Sequence, residues 1–248
     1  MKLLWMYWNH RKPHLVRQIE EHNKKHLPSW KIIYLTDKNI HEYIPAFPPN
    51  YKTIIPQHKS DWIRLYLIMT YGGVWCDASI IINSEKAMDE LWEKTTTHDF
   101  VGFYNGKKTN GIYEVVESWC FASKKNGIVV TLWFHEFNKA IEEGYKPYRD
   151  RIMKNTNLSV YVKNKNLTDY FTVFYCLQNV MQHHPLPPMY LMDSHDSMFK
   201  LNKKDCKNAS KPSKCIMNIL KTKKVKLPYI KLTRHERKTR INIDSYFK

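Results

Sequence analysis

The sequence has little glycine, seven in 248 residues, and no long Pro, Ser or Gln tract, which excludes a fibrous or disordered chain. Its cysteines, Cys76, Cys120, Cys176, Cys206 and Cys215, are odd in number and form no CxxC pair. Neither a disulfide framework nor a zinc knuckle is therefore expected; the thiols read as reduced, with Cys206 and Cys215 unrelated. No run approaches the roughly twenty apolar residues of a membrane-spanning helix. The apolar start, residues 1–8, soon meets Asn9-His10-Arg11-Lys12 without a small-residue cleavage site. It reads as a first strand, and a soluble cytoplasmic protein is the expectation. Asn105-Gly106-Lys107-Lys108-Thr109 lacks the spacing of a phosphate loop, which leaves ATP hydrolysis without support.

What is present is 43% apolar and 14% aromatic residues, ample for one core at this length. A single α/β domain over residues 1–239 is expected, with 240–248 a basic tail. The formal net charge of +17 favours anionic partners, whether nucleoside diphosphates, nucleic acid, acidic glycans or an anionic membrane surface, without choosing among them.

Behind Pro13, Leu15, Val16 and Ile19 share one helical face, and residues 30–35 read as a second strand. Strand, helix and strand in this order make a right-handed βαβ unit on a parallel sheet, where ligands bind at the carboxyl ends of strands. Beyond a Pro-rich connection, Ser60 reads as the N-cap of a helix that ends at Tyr71 before Gly72-Gly73. Val74-Trp75-Cys76-Asp77 then reads as a strand. Helices are expected over 85–93, 128–143 and 167–182, and strands over 100–104, 118–123 and 229–232.

Asp61 and Arg64, three apart on a helix, project from one face, and the next strand delivers Asp77 at its end. A guanidinium for bidentate bonds to oxygen, a carboxylate for hydroxyl groups and a carboxylate for a divalent cation together suit a small polyanion. Sugar transfer from a nucleotide needs such parts, because its leaving diphosphate gains negative charge as the glycosidic bond breaks.

The pattern SDxxRxxxIxxxGGxxxDxS, made by Ser60, Asp61, Arg64, Ile68, Gly72, Gly73, Asp77 and Ser79, resembles the capsular polysaccharide synthesis and DxD sugar-transferase relatives of glycosyltransferase family 32. The resemblance extends to Trp5-Met6-Tyr7-Trp8, to Ser118-Trp119-Cys120-Phe121-Ala122-Ser123, to Leu167-Thr168-Asp169-Tyr170-Phe171 and to Ile230-Lys231-Leu232. It implies a GT-A-type fold, a Rossmann-like mixed sheet with helices on both faces. It also implies retaining transfer of a hexose or related sugar from a UDP- or GDP-sugar to a glycan hydroxyl, assisted by Mn²⁺ or Mg²⁺. Asp61 and Arg64 would touch the donor sugar and the ribose or phosphate, and Asp77 the metal with the diphosphate. Tyr7 or Trp8 would lie beside the base, where stacking contributes roughly 1–3 kcal/mol. Ser79 stands where many relatives carry a second Asp, and a hydroxyl is a weaker ligand for either metal.

Two further residues are candidates. Asp169 matches an acidic position of the resembled Asp-Tyr-Phe segment and would act on the acceptor hydroxyl; its plain alternative is an Asp at a helix start. His235 is a candidate metal or phosphate contact, against a solvated His in Arg234-His235-Glu236-Arg237. The rival functions are a basic nucleic-acid-binding protein, which no recognisable binding module supports, and a fold relative that binds the nucleotide sugar without turnover. No nucleic-acid partner is expected; peripheral contact with an anionic membrane is compatible with the charge.

Overall fold

The computed structural model describes residues 1–9, 11–106, 113–158, 169–222 and 227–248. Strand β1 (Leu3–Tyr7) leads through helix α1 (His14–His26) to β2 (Lys31–Leu35), and β1 and β2 pair in parallel, as the βαβ reading requires. Helix α2 (Pro56–Tyr71) feeds β3 (Gly73–Cys76), which pairs in parallel with β1 on its other side. The next elements are β4 (Ile80–Ile82), α3 (Glu85–Glu93), β5 (Phe100–Tyr104), β6 (Val116–Ser123), α4 (Ile128–Glu143) and α5 (Tyr145–Ile152). After them come α6 (Thr172–His183), β7 (Met189–Asp193), α7 (Pro212–Lys221), β8 (Tyr229–Lys231), α8 (Arg234–Lys238) and α9 (Asp244–Phe247). The main sheet has the order β2-β1-β3-β6-β5-β7; β6 runs antiparallel to both its neighbours, and β4 with β8 forms a separate antiparallel pair.

The sheet is a mixed one covered on both faces, which is why β1, β3 and β6 are buried at every position instead of alternating. Trp5, Trp75, Phe100 and Phe121 face α2, α4 and α6, whereas Leu4, Met6, Val74, Cys76 and Phe103 face the side that Val16 of α1 and Met88 and Leu91 of α3 help to close. The junction between α2 and β3 needs its two glycines. Both have positive φ, and a Cβ at Gly73 would stand 2.6 Å from the Leu3 carbonyl oxygen.

Several expectations change. Helix α2 starts a turn before Ser60, with Pro56 at its first position and Ile55 as the cap residue. Proline has no N–H to lose there, so it begins the helix and leaves Ser60 inside, where its carbonyl and hydroxyl both accept bonds from Arg64. In the stretch 167–182, residues 167 and 168 lie outside the described residues; a 3₁₀ turn at Asp169–Phe171 precedes α6. Cys206 and Cys215 are joined as a disulfide, contrary to the reading as unrelated thiols, because the fold turns the chain back between them; Cys76, Cys120 and Cys176 are free and buried. No helix among the described residues is long and apolar enough to cross a membrane.

Residues 240–248 do not trail as a tail. Ile243 is buried, Asp244 accepts from Gln18 at 2.6 Å, and Tyr246 and Phe247 pack against His22 of α1. His22 shares a 2.8 Å hydrogen bond with Asn83, which also donates to Tyr246 Oη. Burial first, then His26 and Lys25, hold its imidazole down at about 4, against the ordinary 6.5. Between those two values the unfolded chain binds more protons than the folded one, so the stability contribution is complete above the upper value and is lost as the pH falls. Thermal unfolding followed from pH 7 to 4.5 should show a falling midpoint, and His22→Gln should flatten that slope.

Candidate active site

The site is built at the carboxyl end of β3. Asp77 follows the strand, its N–H bonded to the Trp119 carbonyl at 2.8 Å, and its carboxylate is 27% exposed. Oδ1 accepts from Arg64 Nη2 at 3.2 Å and from Trp75 Nε1 at 3.2 Å; Oδ2 accepts from Lys231 Nζ at 2.6 Å. Burial raises the Asp77 pKa, but Lys231 and Arg64 outweigh it and hold the carboxyl below its ordinary value.

Arg64 is the brace of the site. Its Nε donates to the Ser60 carbonyl, Nη2 to Ser60 Oγ and Asp77, and Nη1 to Ser118 O and Oγ, with Asp61 Oδ1 at 3.1 Å. A guanidinium has five N–H donors, and these contacts use all of them. Arg64 therefore fixes α2, β6 and Asp77 to one another and supplies positive potential, instead of presenting a free fork to a ligand as its spacing suggests. Asp61 is buried beside it and is also 3.3 Å from His58 Nδ1.

Two further cations reach the site. Lys231 on β8 is buried, and its ammonium also donates to Ser79 Oγ at 3.2 Å. Arg237 on α8 stands over the Trp8 ring at 5.7 Å and donates from Nη1 to the Leu232 carbonyl. Burial lowers the pKa of both, Asp77 opposing the shift; Arg237 and Arg64 add to the lowering at Lys231, and Arg234 adds to it at Arg237. Arg64 pairs with Asp61 and Asp77 and Lys231 with Asp77, while Arg237 lies in the field of Asp77 and of Glu236 on its own helix. Tyr170, at the rim and 52% exposed, lies in the field of Asp61, Asp77, Arg64 and Arg237.

Of the sequence candidates, Asp61, Arg64, Asp77 and Ser79 come together, and Trp8 joins them through Arg237. Tyr7 points to the opposite face of the sheet, where its hydroxyl donates to Asp37 beside Tyr51 and its phenol is pushed up by burial first and then by Asp37. Strand alternation separates it from Trp8. Asp169 pairs with Arg149 at 3.1 Å and is half exposed; its contacts do not include Asp61, Arg64 or Asp77. His235 is exposed on α8, its N–H bonded to Thr233 Oγ1.

Lys231 and Arg237 were given no role on sequence. A lysine between Ile230 and Leu232 in an apolar strand is a signal, since lysine is rarely buried without a partner. Arg237 was hidden in a run that reads as solvated, yet Thr233 and Glu236 make the capping box that starts α8 and aims it inward.

Magnesium and manganese take oxygen ligands in a nearly octahedral set. Here the space between Asp77 Oδ2 and Ser79 Oγ is bridged by the Lys231 ammonium, and among the described residues no three His, Cys, Asp or Glu are gathered as a cage made wholly by the protein would need. Asp77, Ser79 and His235 as arranged do not fit a divalent ion held by the protein.

The family model for capsular polysaccharide synthesis proteins matches residues 1–247. The chain belongs to that family. No curated protein matches it. Among solved structures similar to this capsular polysaccharide synthesis protein is a glycosyltransferase involved in the glycosylation of the major capsid of PBCV-1. It is 9% identical with a TM-score of 0.48, over 99% of this chain and 98% of that one. The glycosyltransferase GlyE of Streptococcus pneumoniae TIGR4 is 10% identical with a TM-score of 0.47, over 99% of this chain and 59% of GlyE. An active-site mutant of LgtC is 9% identical with a TM-score of 0.44, over 78% of this chain and 73% of that one.

Proposed function

We propose that this capsular polysaccharide synthesis protein is a glycosyltransferase of GT-A type that moves a hexose or related sugar from a nucleoside diphosphate sugar, UDP- or GDP-linked, to a glycan hydroxyl. One observation carries the reading: Arg64 and Lys231 converge on Asp77 at the carboxyl end of β3, with Arg237 and Trp8 alongside. Cationic side chains gathered at a strand end and held in a mostly buried setting suit a diphosphate, and the aromatic ring at the end of β1 suits the base.

In this reaction the acceptor oxygen bonds to the anomeric carbon while the bond from that carbon to the diphosphate oxygen breaks. The electron pair leaves with the diphosphate. The acceptor's proton passes to a base on the acceptor side, for which we keep Asp169, next to Tyr170 at the rim. Asp61 holds the sugar hydroxyls; retention at the anomeric carbon, which the family resemblance favours, requires the acceptor to approach from the face that the diphosphate leaves.

The test is calorimetric titration with UDP, GDP and their hexose conjugates, followed by product analysis with glycan acceptors. A dissociation constant in the range of about 1 μM to 1 mM for one nucleotide series, with sugar released or transferred, is expected. Absence of binding to every nucleoside diphosphate, together with tight and steeply salt-dependent binding of RNA or DNA, would turn the reading toward the nucleic-acid alternative.

A further inference from the structure

We propose that Lys231 is the resident cation of this site, doing for the diphosphate what a divalent metal ion would do, so that nucleotide binding needs no added metal. The inference rests on the glycosyltransferase reading and deepens it. Its starting point is the pair of oxygens that the sequence assigns to a metal, Asp77 Oδ2 and Ser79 Oγ. The Lys231 ammonium lies 2.6 Å from the first and 3.2 Å from the second. A metal ion bound to the same two oxygens would sit at roughly 2.0–2.2 Å from each and would have to displace the ammonium.

The fold holds the lysine there from both sides. Lys231 pairs with Ile80 across the β4–β8 ladder, its N–H bonds to the Met198 carbonyl at 3.0 Å, and the next N–H, of Leu232, bonds to the Ser79 carbonyl at 3.1 Å. The Trp119 ring, 5.7 Å from Nζ, lies alongside the ammonium. The lysine is thus placed by backbone register and packing, as a structural ligand would be, and not by a flexible surface stem.

Ser79 fits this arrangement. An acid at that position would give one ammonium two carboxylates, whereas a hydroxyl leaves Asp77 and Lys231 matched in charge and still accepts a hydrogen bond. An ammonium has three N–H donors. Asp77 and Ser79 take two, which leaves the third for a phosphate oxygen. Arg237, whose only side-chain hydrogen bond among the described residues uses Nη1, adds a second positive charge with donors to spare, so the two side chains together carry the charge of a divalent ion.

The experiment is calorimetric titration of UDP and GDP into the full chain, in chelator and in MnCl₂, for the parent, Lys231→Ala and Lys231→Arg, each first checked for folding by thermal unfolding. The parent should bind with the same affinity in both buffers. Lys231→Ala should lose about tenfold to a hundredfold in chelator, the worth of a charge-assisted hydrogen bond, and should recover in MnCl₂ because Asp77 and Ser79 are then open to the ion. Lys231→Arg should keep most of the affinity in chelator.

A parent that binds only in MnCl₂ overturns the inference and leaves the glycosyltransferase reading standing. Loss of binding by folded Lys231→Arg equal to that of Lys231→Ala, or unaltered binding by Lys231→Ala in chelator, also overturns it. If the parent binds neither nucleotide in either buffer, both readings fall. Should the Ala variant not fold, the parent's own comparison of the two buffers decides.

Discussion

Asp77→Asn is expected to lower sugar transfer by at least about a hundredfold, because the exchange cannot satisfy both sides of the carboxylate. Asp77 Oδ1 accepts from Arg64 and Trp75 while Oδ2 accepts from Lys231. An amide has one acceptor oxygen, so in either orientation its NH₂ group faces a cation. The buried Lys231 and Arg64 would then lose the charge that compensates them. Breaking a fully buried pair costs about 3–5 kcal/mol, and with the Asp77 side chain 27% exposed a loss of about 1–3 kcal/mol is expected. Asp77→Ala should cost at least as much. Chemical denaturation of both variants beside transfer assays at a temperature where they remain folded checks this, and a folded Asp77→Asn enzyme with parental turnover would refute the role of the carboxylate.

Arg64→Lys should be almost as damaging, although it keeps the charge. Three donors on a flexible stem cannot replace a planar fork that bonds Ser60, Ser118, Asp61 and Asp77 at once. The variant leaves carbonyl and hydroxyl acceptors of α2 and β6 without their partner, and a loss of about 2–4 kcal/mol is expected. Because the guanidinium is spent within the protein, its effect on transfer acts through the placement of Asp61 and Asp77. A fall in kcat of about tenfold to a hundredfold is therefore expected, larger than any change in the KM for the donor. A rise in KM with kcat unchanged would show instead that Arg64 binds the donor directly.

How much of this was legible in the sequence depended on distance along the chain. The βαβ start, the helix ended by Gly72-Gly73 and the strand that delivers Asp77 follow from patterns a few residues long, and α3, α4 and β5 lie where periodicity puts them. Asp61 and Arg64 meet because they are three apart on one helix. The start of α2 was misplaced because a serine looks like a cap wherever it stands, while proline at the first turn is the stronger signal. Strand β7, helix α5 and the docking of residues 244–247 on α1 are set by packing against distant elements, whereas α7 carries a local pattern, Pro212 at its start and Ile216, Met217 and Leu220 buried on one face.

By itself, then, the sequence determined the α/β class, the strand-end carboxylate and its neighbouring Asp/Arg pair, because hydrophobic period and short-range spacing act within one or two elements. The tertiary structure alone decided the electrostatics of the site. Lys231, 154 residues from Asp77, enters only when β8 pairs with β4, and Arg237 only when α8 is capped and turned toward Trp8. A carboxylate that reads as a metal ligand in sequence is, once the chain has folded, held between an arginine and a lysine. Coulomb interactions depend on separation in space, and folding sets that separation.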